Sequence, residues 1–150
     1  MSTIEEIKNL RNETSLSIMQ CKKALEEAGG DKEKAIALLK SKGADTAAKK
    51  GSRSLGSGAI AAYIHATGTI GVMVELLCET DFVAKNLEFK AIAYDIAMHI
   101  SAMKPENTEE LLTQAFIKDP SQTISDLVNG TVQKFGERTE IGRFERFSIN

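Results

Sequence analysis

Few residues in this chain have the type and spacing that chemistry needs. His65 and His99 each stand alone, with no HExxH, GxSxG or glycine-rich phosphate loop around them. An imidazole acts as a base only when a nucleophile or an orienting partner completes the constellation, so packing or a hydrogen bond is the simpler role for both. Cys21 and Cys78 lie far apart and form no CxxC or zinc spacing, which predicts free thiols and a reducing compartment. The stretch GSRSLGSG lacks the lysine and Ser/Thr ending of a phosphate loop and reads as a flexible tether. No catalytic site, metal or cofactor is therefore expected. The unusual place is CETDFVAKN, residues 78–86, where Asp81 and Phe82 sit side by side between a strand-like run and a helical pattern. On residue types alone Thr80 is a helix cap, Asp81 a favourable first-turn anion and Phe82 a core plug.

The elements around that junction follow from periodicity. Of the 150 residues 42% are hydrophobic and 27% charged, enough apolar surface to fold one sizeable core, or a moderate core with a small helical module. Residues 3–43 predict three short helices. Thr3 with Glu6 forms a capping-box pattern ahead of the stripe Ile4, Ile7 and Leu10. Ser17 with Gln20 repeats it before a helix whose Cys21, Ala24, Leu25 and Ala28 share a face and which stops at Gly29-Gly30. Asp31 caps a third helix with Ala35, Leu38 and Leu39 inward, Lys40 and Lys42 near its negative end, and Gly43 as its stop.

Residues 44–57, ADTAAKKGSRSLGS, predict a linker or a partly helical tether. Ala59–Cys78 then predicts two antiparallel strands joined at Thr67-Gly68-Thr69. Asn86 caps a long helix with Phe89, Ile92, Ala93, Ile96, Ala97 and Ile100 on the face that covers the sheet, ending before Pro105. Residues 106–118 predict a short helix with Leu111, Leu112, Ala115 and Phe116 inward, broken by Asp119-Pro120. A further helix carries Ile124, Leu127, Val128, Val132 and Phe135 and stops at Gly136. The closing IGRFERFSIN reads as a strand that needs a bulge, or burial of both faces, because Phe144 and Phe147 are three apart. The fold class is α+β: a three-helix module (1–43), a linker (44–57) and an antiparallel sheet packed with helices (58–150).

Charge and hydropathy narrow the partners. A formal net charge of -2 gives no general basic field for phosphates, and the basic stretch Lys40–Arg53 has no interleaved aromatics for stacking. The N-terminal MSTIEEIKNLRNE lacks the apolar core of a signal peptide and no apolar run approaches spanning length, so a cytoplasmic location is expected and no membrane contact. Ile18 and Met19 are neighbours about 100° apart on a helix, so both cannot sit at the centre of one narrow stripe. Core and contact surface are equal readings for that pair.

TDFVAKN resembles the TDFVxxN signature of the translation elongation factor Ts family. LRNET with CKKALEEAGGDKEKAIALLKSKG is similar to that family's N-terminal ubiquitin-associated-like module, and YIHATGTIGVMVELLCETDFVAKNLEF to the start of its core. KAIAYDIAMHISAMKP resembles the next helix, and FIKDPSQTISDLV with IGRFERFSIN the C-terminal end. One departure is TSLSIMQC where the family usually has TGAGMMDC, so that Ile18 and Met19 stand in for paired methionines. Long members also carry a second core half and a coiled-coil insertion that this chain lacks.

The resemblance implies guanine-nucleotide exchange on elongation factor Tu, with no covalent chemistry. It implies that Phe82 wedges into the GTPase domain near the magnesium site while Asp81 disturbs metal and phosphate coordination. Thr80 and Asn86 would hold the loop by capping, with Val83 completing the TDFV motif. Ile18, Met19 and Lys23 would grip another part of that domain, and the sheet with its last strand would meet the third domain of Tu. Short family members pair, so a homodimer is a second implied association. The readings that stand beside this one are a helical-module interaction adaptor and an RNA-binding module using Lys40–Arg53.

Overall fold

The computed structural model describes residues 2–149; Met1 and Asn150, at the ends of the first and last segments, lie outside it. The chain begins with helices α1 (Ile4–Thr14), α2 (Ile18–Glu27) and α3 (Lys32–Lys49). Both capping boxes form: Thr3 exchanges hydrogen bonds with Glu6, and Ser17 with Gln20, satisfying amides that a helix start leaves bare. Ile7, Leu10, Leu16, Cys21, Ala24, Leu25, Ala35 and Leu39 close a small core between the three helices. Ile4, expected in that stripe, is exposed, and Leu16 from the connection takes its share of the interior.

Gly43 does not end the third helix. α3 continues to Lys49, and Gly43 is buried where α3 crosses helix α7 (Ile124–Phe135). A Cβ there would come within 2.9 Å of Gln133 Oε1 and 3.5 Å of the Asn129 carbonyl, so the glycine serves close approach of two helices. Because the helix runs on, Lys40 and Lys42 meet acids instead of a helix end. Lys42 pairs with Glu27 at 3.2 Å; Lys40 reaches Asp126 at 3.7 Å and donates to the Ser121 carbonyl at 3.0 Å.

The larger core forms under a three-stranded antiparallel sheet of order β1 (Ser57–Ile64), β2 (Ile70–Cys78) and β5 (Glu140–Ser148). Gly68, at φ 74°, supplies the left-handed residue of the β1–β2 turn, which His65 closes through its amide to Ile70. His65 thus follows β1 and does not lie within it. Val72, Val74, Leu76 and Cys78 point inward, and helix α5 (Leu87–Met103) lays Phe89, Ala93, Ile96, Ala97 and Ile100 on them. Between Val74 and Leu76 the partner strand carries one extra residue, since Val74 faces Phe144 and Leu76 faces Ile141. That bulge lets Ile141 and Phe144 share the inner face although they are three apart, and leaves Phe147 outside.

Helix α6 (Thr108–Thr113) is shorter than the pattern predicts. Ala115 and Phe116 form strand β3 (Ala115–Phe116), paired with β4 (Asp119–Thr123), so Pro120 sits in a two-stranded ribbon. A ribbon has only one paired edge per strand, which tolerates a residue without an amide hydrogen. His99, wholly buried on α5, anchors the ribbon: the Ile117 amide donates to its Nδ1 at 3.2 Å, which puts the ring proton on Nε2, 2.9 Å from Gln114 Oε1. Burial holds the His99 pKa below the ordinary imidazole value. Helix α7 ends at Gly136, in the left-handed conformation at φ 72°. Cys21 and Cys78 are free and buried in separate cores.

Candidate partner-binding site

Strand β2 ends at Cys78 and helix α5 starts at Leu87; between them a single turn, α4 (Asp81–Ala84), carries the DFVA residues. Thr80 caps it by accepting from the Val83 amide at 3.5 Å, and Asn86 caps α5 by accepting from the amides of Glu88 at 2.8 Å and Phe89 at 3.4 Å. Ala84 is buried and Val83 packs on the core, so the turn is seated by small and branched groups.

Phe82 is not a core plug. Its residue is 91% exposed, the most open large apolar side chain among the described residues, because α4 turns its ring away from the face that Val83 and Ala84 bury. Leu87, five residues on, is 82% exposed as well. Residue type alone does not separate this apolar side chain from those of the core stripe of α5. It stands at the first position of the helix, outside that stripe, and this position is the signal that marks it. Asp81, beside the ring, accepts a hydrogen bond from the Ser57 hydroxyl at 2.6 Å.

The base of the turn is held from elsewhere in the chain. Glu137 accepts from the amides of Glu79 (3.1 Å) and Thr80 (3.0 Å) and from the Thr80 hydroxyl (2.7 Å). Glu79 in turn accepts from the Arg138 amide at 2.5 Å and meets Arg53 at 3.5 Å. The Arg138 amide, and then Arg53, keep the Glu79 carboxyl below its ordinary range. Beneath them the Cys78 thiol donates to the Thr80 carbonyl at 3.3 Å; burial, followed by the Glu137 charge, raises its pKa and keeps it a protonated donor.

A second group of the expected residues lies on α2. Ile18 and Met19 are 53% and 75% exposed, which decides between core and surface, and Lys23 is exposed one turn beyond Met19. They belong to the helical module, whereas the Thr80–Asn86 loop belongs to the core, so the two groups are on separate elements. A third apolar surface is the outer face of the sheet. Ile60, Ile64, Met73 and Phe147 are all exposed there, with Ile64 and Phe147 flanking Gly71 across β2. At one end of this face Glu75 is clamped by the Arg143 guanidinium at 2.9 and 3.0 Å, which lowers its pKa to about 2.

Among the described residues no three His, Cys, Asp or Glu side chains are grouped to hold a metal, and no helix is long and apolar enough to cross a membrane. An open aromatic on a braced turn and two further apolar patches thus stand at the surface.

Residues 79–150 match the family model described as Elongation factor TS. Elongation factor Ts of Leptospira biflexa is 39% identical over an aligned span of 190, covering 97% of this chain and 96% of that protein. The Carboxydothermus hydrogenoformans protein of the same name is 41% identical over 194, with 99% and 89% covered, and that of Thermotoga petrophila 38% over 190, with 98% and 96% covered. The chain belongs to the elongation factor Ts family, and its role lies in translation elongation. Since the aligned span with the Leptospira protein is 190 against 150 residues here, that relative holds at least 40 positions without a counterpart in this chain.

Proposed function

We propose that this chain accelerates GDP release from elongation factor Tu, with Phe82 as the wedge. The observation that carries the reading is the 91% exposure of an aromatic on the family's signature loop, where burial was the ordinary expectation. GDP leaves a GTPase slowly because a phosphate cradle and Mg²⁺ hold its charge. An exchanger needs no covalent step; it has to bind the nucleotide-free conformation better than the loaded one, and that difference in affinity is the driving force. Burying the Phe82 ring in an apolar slot of the partner contributes about 1.5–3 kcal/mol toward opening the metal site. Asp81, held beside it by Ser57, is the charge that competes for the metal and phosphate surroundings. Coupling is reciprocal, so returning nucleotide weakens the exchanger and lets it leave.

The exposed pair Ile18 and Met19, with Lys23, is the second contact, on the GTPase domain, and the apolar outer face of the sheet meets the third domain of Tu. That face also suits a second copy of the chain, so a homodimer would compete for it. The test is release of a fluorescent GDP from Tu at rising concentrations of this chain: a saturable acceleration supports exchange, and an interaction adaptor gives none. A lag or loss at high concentration would mark pairing.

A further inference from the structure

We infer that Glu137 is a positioning residue for the Phe82 loop, bracing it in the free protein in the geometry the partner meets. The inference rests on the exchange reading above. An exposed ring receives no packing from its own fold, and α4 is a single turn of four residues, too short to hold its own shape. The direction of Phe82 therefore depends on how the turn is fastened. At its far end the fastening is local, through buried Ala84 and the Asn86 cap. At its near end it comes from Glu137 and Arg138, more than fifty positions away, with Ser57 on Asp81 and Arg53 on Glu79.

Three hydrogens from two successive residues converge on the Glu137 carboxylate, with both amides on Oε1 and the Thr80 hydroxyl on Oε2. Hydrogen bonds to an ionised acceptor are roughly twice as strong as neutral ones. The exchange is mutual, because Glu79 of the loop takes the amide of Arg138, and the Arg138 guanidinium donates to the Arg53 carbonyl while Arg53 pairs with Glu79. Glu137 follows Gly136, the end of α7, so the brace is rooted in a helix packed against α3 and α6. Without it the 79–82 segment would be ordered only on binding, which weakens association but leaves the seated complex unchanged.

The experiment compares the full chain with its Glu137→Ala and Glu137→Gln variants in fluorescent-GDP release from Tu, with Phe82→Ala alongside, and follows amide hydrogen exchange at Thr80. For Glu137→Ala the half-saturating concentration should rise about tenfold while the rate at saturation stays within about twofold, the mark of lost pre-organisation. Glu137→Gln keeps an oxygen for both amides and should recover to within about threefold of the parent. Thr80 exchange should quicken in Glu137→Ala, with melting midpoints within about 5 °C across the series. Unchanged half-saturation in Glu137→Ala, failure of Glu137→Gln to rescue, or a fall confined to the saturating rate would each overturn the inference. If the parent itself accelerates nothing, the exchange reading fails, and the brace is judged by Thr80 alone: protection that survives Glu137→Ala overturns it.

Discussion

The Ser57 hydroxyl donates to Asp81 at 2.6 Å, tying the first residue of β1 to the acid that precedes the exposed Phe82 ring. The carboxylate is thereby aimed, and it stays at the surface beside the ring. In the proposed exchange reading, this is the acid that acts on the partner's metal site.

Replacing Asp81 with asparagine keeps the acceptor for Ser57 and removes the charge. Exchange on Tu should fall less than its sensitivity to Mg²⁺ does, because the ring still wedges while the electrostatic competition is gone. Release rates titrated against Mg²⁺ check this. Curves for the parent and Asp81→Asn that run parallel contradict the role given to the acid.

Phe147 stands on the outer face of β5, across Gly71 from Ile64, and 69% of it is exposed. Phe147→Ser should leave the thermal melt within about 0.5 kcal/mol of the parent, as surface changes do. Its affinity for Tu, measured by titration calorimetry, should weaken by about 1–2 kcal/mol if the sheet is a contact. Equal affinity with a changed sedimentation profile assigns that face to a second copy.

His99 predicts how the fold responds to acid. Its folded pKa is below the ordinary 6.5, through burial, although the Gln114 contact opposes this. Neutral His99 therefore contributes stability that is fully present above the unfolded value near 6.5 and is progressively lost as pH falls from there toward the folded value. Melting midpoints should decline between about pH 7 and pH 5.5 before most carboxylates titrate. An NMR titration that finds His99 protonating at or above 6.5 contradicts this account.

Much of the fold was legible because its signals are local. The Thr3–Glu6 and Ser17–Gln20 boxes, the Asn86 cap, the Gly136 stop and the stripe of α5 each rest on residues within one or two turns. The spacing of Phe144 and Phe147 called for a bulge or for burial of both faces, but the two phenylalanines simply lie on opposite faces of a regular stretch, and the bulge falls earlier, between Ile141 and Phe144. Long-range packing hid the rest. Gly43 looks like a helix stop until α7 is laid against it, and Ala115-Phe116 continues a helical spacing until β4 pairs with it.

The site divides in the same way. Thr80, Asp81 and Asn86 carry recognisable capping chemistry, but a phenylalanine at a strand-to-helix junction is ordinarily buried, and the likeness of TDFVAKN to a known motif was what pointed outward. Glu137 leaves no local mark, since its three partners lie at residues 79 and 80.

The most direct test of Phe82 as the wedge is Phe82→Ala, followed by circular-dichroism melting and by fluorescent-GDP release from Tu at saturating exchanger. An open ring predicts a melt within about 1 kcal/mol of the parent and a release rate about ten- to a hundredfold lower, in keeping with the burial energy lost. A release rate equal to the parent's, or a large loss of stability, would contradict it.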